Sequence, residues 1–156
     1  MRVLITGVAG FIGSNLAGKF LSNGHSVIGI DKFADYYSRA QKEFNLSKLI
    51  SHREFNFIET DLMWAGLEEA LKNSDIIFHL AAQPGVLHSW GENFNIYVRN
   101  NILATQYLLE ILKYHPEKPL IFASSSSVYG NTDHIPMNEK NILNPISPYG
   151  LTKLTC

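Results

Sequence analysis

The stretch RVLITGVAGFIGSN, residues 2–15, limits this chain more than any other. A short apolar run, readable as a buried strand, passes directly into a loop with glycines at 7, 10 and 13 and then into a helical stretch. Glycines so placed permit a tight turn, close approach of the backbone to a pyrophosphate, and close packing of helix on sheet. The helix N-terminus then offers unpaired N–H groups and a positive dipole end to phosphates. The spacing is G-x-x-G-x-x-G rather than the commoner G-x-G-x-x-G, so the loop taken alone is equally compatible with a plain turn.

The rest of the chain supplies the context. SVIGID (26–31), FNFIE (55–59), DIIFHLA (75–81) and PLIFAS (119–124) are short runs rich in Ile, Val and Phe, and they predict buried strands. Helices are expected over about 11–23, 39–50, 64–72 and 92–114. The last places Phe94, Val98, Ile102, Leu108, Leu109 and Leu112 along a buried stripe. Strand–helix alternation over 156 residues implies a single α/β domain, 1–156. Its sheet would be parallel and doubly wound (Rossmann-like), with right-handed crossovers.

Composition excludes several classes. A chain that is 46% hydrophobic and 17% charged suits an ordinary soluble domain, and a net charge of −1 gives no reason to expect nucleic acid or an anionic membrane as partner. Lys32, Arg39, Lys42, Lys48 and Arg53 gather in the first third, but acidic residues are mixed among them, and they read as a solvated face. One cysteine, Cys156, excludes an internal disulfide and fits a reducing compartment. No signal peptide, membrane span or paired histidine spacing is visible, so a cytoplasmic protein without a metal is expected.

Asp31 ends the second strand, where a carboxylate can accept hydrogen bonds from the adenosine ribose hydroxyls. It would repel a 2′-phosphate, which favours NAD over NADP, and Lys32 weakens that preference without reversing it. Asp31 could also merely cap its strand. Asp61 follows the third strand, where the adenine edge would lie, or where it could serve as an N-cap.

These motifs, in this order and spacing, resemble the extended short-chain dehydrogenase/reductase family, specifically its nucleotide-sugar epimerases and dehydratases. The resemblance is carried by TGVAGFIGSN, DL at 61–62, FHLAAQPGV (78–86), ASSSSVYG (123–130) and YGLTK (149–153). DKFADYY (31–37) and SWGENFNIYVRNNILATQYLLE look most like UDP-glucuronate 4-epimerases and related UDP-glucose 4-epimerases. The resemblance implies NAD as a returned hydride carrier and a hexose or hexuronate linked to UDP as substrate. The family's acid/base tyrosine falls on Tyr149, its lysine on Lys153 and its hydroxyl partner on Ser125. Cofactor contacts fall on Gly7, Gly10, Phe11, Ile12 and Gly13, then on Asp31, Lys32, Asp61 and Leu62. Ala81, Ala82, Ser124 and Asn101 would complete them beside Tyr149 and Lys153, while Gln83, Val86 and Ser126 would face the sugar.

The residues agree with that chemistry. Ser147 can cap a helix and Pro148 suits its first turn. Tyr149 and Lys153 are then i and i+4 on one face. A free tyrosine titrates at about 10, too high for a base at neutral pH, and a neighbouring ammonium favours the phenolate. The implied reaction is epimerisation at C4 through a 4-keto sugar, Tyr149 taking the O4 proton and Ser125 holding O4. The 4,6-dehydratases carry an Asp-Glu pair directly after the catalytic hydroxyl residue, where this chain has Ser126 and Ser127. Ser127 is left without a role. Relatives that handle acidic sugars often carry arginine after GV, where Leu87 stands here, followed by His88.

Family members continue past the tyrosine helix into a smaller domain that holds UDP, so a chain ending at Cys156 is expected to be the cofactor half of such an enzyme. The alternatives are an NAD-binding module that pairs with another chain, or a nucleotide-sugar reductase. The 92–114 helix is the expected surface for a homodimer.

Overall fold

The computed structural model describes residues 1–133 and 135–156 and resolves into two compact units. One comprises Met1–Ala81 with Tyr107–Ala123, the other Ala82–Gln106 with Ser124–Cys156.

The first unit holds the sheet. Its strands are β1 (Arg2–Thr6), β2 (Ser26–Asp31), β3 (Phe55–Glu59), β4 (Ile76–His79) and β5 (Leu120–Phe122). All are parallel, in the order β3-β2-β1-β4-β5, as a doubly wound Rossmann-like sheet requires. Leu4 pairs with Ile28 on one side and Ile77 on the other, which fixes the central register. Helices α1 (Phe11–Ser22) and α2 (Arg39–Leu46) follow β1 and β2, and α3 (Leu67–Lys72) follows β3. Val3, Ile5, Val8, Ala17, Leu21, Val27, Leu46 and Phe55 form the core of this unit. Each fully buried Val, Leu or Ile contributes about 1.5–3 kcal/mol relative to exposure.

The elements are shorter than their apolar runs suggest. β4 stops at His79 rather than at residue 81, because the Ala81 N–H donates to the Thr6 hydroxyl at 3.1 Å instead of joining a ladder. β5 covers Leu120–Phe122 only. α2 is capped by Ser38, whose hydroxyl accepts from the Gln41 N–H, and it gives way after Leu46 to tight turns closed by Leu46 carbonyl contacts. α3 begins at Leu67 with Gly66 at its N-cap, where the Trp64 ring fills the space that any side chain would take.

The expected 92–114 helix is also composite. A 3-10 turn (Gly91–Asn93) leads into α4 (Phe94–Tyr97), a π-helical turn (Val98–Leu103) and α5 (Ala104–Leu112). Its buried residues are Tyr97, Asn101, Ala104, Thr105, Leu108 and Leu112. Phe94, Val98 and Ile102 are only half-buried and Leu109 is exposed. The wide π turn offsets the face, and polar side chains with hydrogen-bond partners occupy places that an apolar count assigns to neighbours. The second unit closes with α6 (Pro148–Thr155), capped by Ser147 as its sequence predicts. Among the described residues no helix is long and apolar enough to cross a membrane.

Candidate functional site

In the first unit the sheet order reverses between β1 and β4, the place beside which ligands bind in folds of this kind. Gly7 leaves β1 there with a φ of +73°, and a Cβ on it would lie 2.8 Å from the Ala81 nitrogen. A Cβ on Gly13 would lie 2.3 Å from the Gly7 carbonyl oxygen and 2.8 Å from Val8 Cα. The turn is thus closed against side chains on the protein side. Gly10 precedes α1 with no side chain capping the helix, while Phe11 and Ile12 stand exposed at 77% and 65%.

Asp31 ends β2 and reaches back to this turn. Its Oδ2 accepts from the Ala9 N–H at 3.1 Å and its Oδ1 from the Phe33 N–H at 2.8 Å. The Ala9 carbonyl accepts from Asn45 Nδ2 at 2.9 Å and from the Tyr37 hydroxyl at 3.4 Å. Burial, with the Asp31 charge adding to it, pushes the Tyr37 phenol above its ordinary value. Phe33 adopts a left-handed φ of +52°, a conformation that costs about 1–3 kcal/mol in a residue with a side chain. Lys32 pairs with Asp61 at 3.1 Å, and Asp61 also caps the Met63 N–H. Leu62 is buried.

Lys42 departs from the solvated face expected of it. It is 6% exposed, with its ammonium 3.4 Å from Asp31. Arg39, by contrast, is an exposed cation bound to Glu43 and Glu59.

The second unit carries the tyrosine helix. Ser147 Oγ accepts from the Gly150 N–H at 3.0 Å, and the Tyr149 N–H donates to Ser89 Oγ at 3.0 Å. The Tyr149 ring meets the Tyr97 ring edge to face at 6.2 Å. Gly150 lets α6 approach the serine segment: a Cβ there would lie 2.6 Å from the Ser127 carbonyl oxygen. In that segment Ser125 accepts from the Ser127 N–H at 3.2 Å and so caps a 3-10 turn over Ser126–Val128. Its O–H remains as a donor. Ser124 and Ser126 are exposed.

Asn101 ties this unit together. Its Oδ1 accepts from the Gln83 N–H at 2.7 Å, and its Nδ2 donates to the Gln83 carbonyl at 3.2 Å and to Thr152 Oγ1 at 2.9 Å. Thr152 in turn donates to the Tyr149 carbonyl at 2.8 Å. The Tyr97 hydroxyl lies 2.7 Å from the Pro84 carbonyl and 2.9 Å from that of Gly85, and Ser89 donates to the Val86 carbonyl. The QPGV segment is therefore pinned at both ends, with Ala82 and Gln83 half-buried and Val86 exposed. Asn101→Leu keeps the bulk but removes all three bonds and leaves the half-buried Gln83 N–H without its acceptor. It is expected to cost about 2 kcal/mol, or roughly 4–8 °C in melting temperature, read by thermal denaturation.

Lys153 is 5% exposed, and burial pushes its ammonium below the ordinary lysine value of 10.5, against a smaller upward pull from the charge at Cys156. The unfolded chain then holds this proton more readily than the folded one. Stability from this group therefore rises with pH up to about 10.5 and levels off above it. Urea midpoints measured along that range should climb in the parent relative to Lys153→Met. A parallel pair of curves would reject the assignment.

Sequence reasoning missed Ser89, Tyr97, Thr152 and Gly150. Only Gly150 carried a signal, as a glycine inside a capped helix, which costs stability unless something must come close.

Residues 4–156 match the family described as GDP-mannose 4,6 dehydratase. The chain is 46% identical to the uncharacterized UDP-glucose epimerase YtcB of Bacillus subtilis, over 99% of this chain and 49% of that protein. It is 38% identical to a probable UDP-glucuronate 4-epimerase of Rhizobium meliloti, over 98% of this chain and 46% of the relative. Among solved structures it resembles UDP-glucuronic acid 4-epimerase from Bacillus cereus in complex with UDP-glucuronic acid and NAD. There the TM-score is 0.94 and the identity 42%, over 99% of this chain and 49% of the other. The chain thus spans about half the length of these relatives.

Proposed function

Since this chain belongs to the GDP-mannose 4,6 dehydratase family, we propose that it provides the NAD-binding and acid–base residues of a UDP-sugar 4-epimerase. The observation that carries this reading is the glycine turn, which is closed to any Cβ at Gly7 and Gly13 and joined to Asp31 through the Ala9 N–H. That cradle fits a dinucleotide pyrophosphate. The uncapped start of α1 after Gly10 would hold the phosphates, with Phe11 and Ile12 beside them. Asp31 would take the ribose hydroxyls, Lys32, Asp61 and Leu62 the adenosine side, and Ala81 the region next to Gly7. NAD, when bound, supplies the acceptor and donor for the sugar hydride.

The chain's own residues handle the proton and the sugar. Tyr149 removes the proton from O4 of the hexose, and Ser125 donates its free O–H to the same oxygen. Lys153 stands one turn beyond Tyr149 on α6, shielded from water, and is the lysine of this set. Ala82 and Ser124 complete the cofactor side of this second unit, while Asn101, buried with its amide bonded to Gln83 and Thr152, holds Gln83 in place rather than meeting the cofactor itself. Gln83, Val86 and Ser126 face the sugar. The family description names a dehydratase, whereas YtcB and the Rhizobium and Bacillus cereus proteins are named epimerases. Ser126 and Ser127 offer no carboxyl group for eliminating water, which supports epimerisation.

A native mass spectrum of the purified chain tests the cofactor reading. Retained NAD or NADH, or binding on addition of NAD, is expected. A chain that stays free of dinucleotide at millimolar NAD would overturn the reading.

A further inference from the structure

Lys42 is a buried charged group that takes no part in the cofactor and acid–base roles given to Asp31, Tyr149 and Lys153. Its ammonium lies 3.4 Å from Asp31 Oδ1, 5.2 Å from the centre of the Tyr37 ring and 5.8 Å from that of Phe33. Taking an ammonium out of water is costly, and here a carboxylate and two ring faces offset the loss. The carboxylate is itself held by the Ala9 and Phe33 N–H groups. Other cations at this end of the sheet are matched as well, Lys32 with Asp61 and Arg39 with Glu43 and Glu59, but at positions more open to solvent. The charge on Lys42 is therefore the least screened of the three.

We propose that Lys42 is the specificity-determining partner of Asp31. The pair rejects a 2′-phosphate while the carboxylate is present, and Lys42 itself binds that phosphate once the carboxylate is removed. The acidic residue ending β2 is where the adenosine ribose is read in this fold. A 2′-phosphate there meets the Asp31 charge, and it cannot easily take the ammonium from a carboxylate anchored by two backbone N–H groups. Without Asp31 the lysine is an uncompensated buried cation, and a dianionic phosphate relieves that state through charge-assisted hydrogen bonds. Preference for NAD thus depends on one side chain masking another.

The inference rests on the NAD reading, and calorimetric titration of the chain with NAD and NADP separates the two. The parent should bind NAD at least roughly tenfold more tightly than NADP. Asp31→Ser should move the ratio of dissociation constants by about 100-fold toward NADP, and Asp31→Ser with Lys42→Met should lose most of that gain. No shift in the single variant, or a shift that survives in the double variant, would overturn the proposal. Asp31→Asn keeps the shape of the side chain without its charge and serves if Asp31→Ser does not fold, as judged by circular dichroism. It should also move the ratio of dissociation constants at least roughly tenfold toward NADP, and an unmoved ratio would overturn the proposal. A parent that binds neither dinucleotide would overturn the cofactor reading and this inference together, whereas a parent that binds NAD beside variants that miss these shifts would overturn the inference alone.

Discussion

Gly13→Ala is expected to weaken NAD binding by about 100-fold and to destabilise the chain by about 1–3 kcal/mol. The new methyl group would sit 2.3 Å from the Gly7 carbonyl oxygen and 2.8 Å from Val8 Cα. Both are backbone atoms, so no rotamer change relieves the clash. The first turn of α1 must move away from β1, and its N–H groups move with it. Gly18→Ala, on the same helix, is the control. Its Cβ would meet only Leu49 Cδ2, at an ordinary 3.6 Å, so it should leave NAD binding intact and add up to about 1 kcal/mol of stability. Isothermal titration and thermal melts of the two variants decide the matter. Equal NAD affinity in both would remove the glycine turn from the binding site.

Tyr149→Phe is expected to lower sugar turnover by about 1,000-fold while leaving the fold unchanged, since general base catalysis contributes roughly that much. The substitution keeps what the structure shows around the residue. The edge-to-face contact with Tyr97 needs only the ring, and the hydrogen bond to Ser89 uses the backbone N–H. What is lost is the group that would take the O4 proton. Interconversion of UDP-glucose and UDP-galactose, and epimerisation of UDP-glucuronate, can be followed by NMR. Both assays should be run with the chain alone and with a second polypeptide supplying the remaining length found in its relatives. Turnover within a few-fold of the parent in either setting would deny Tyr149 the acid–base role. NAD affinity should be unchanged, which separates this variant from Gly13→Ala.

Features that depend on neighbours in the chain were legible from sequence alone. A glycine turn between a strand and a helix announces itself, because glycine adopts the φ of Gly7 without strain and alone fits the contacts around Gly13. Ser147 with Pro148 states where α6 begins, because an N-cap acts within three residues. Five apolar runs separated by longer amphipathic stretches imply a parallel sheet, because both faces of such strands must be buried.

Contacts between residues far apart in the chain were decided by the tertiary structure. Lys42 looks like any surface lysine until α2 folds beside the end of β2 and brings it to Asp31. Asn101 sits in an apolar-looking helix, and its burial makes sense only once Gln83 and Thr152 supply three hydrogen-bond partners. Ser89 carries no local signal, yet it accepts from Tyr149 across 60 positions. The division has one physical cause. Backbone sterics and caps act over a few residues and leave a pattern in the sequence, whereas burying a polar or charged group is favourable only with a partner, and the fold determines which partner arrives.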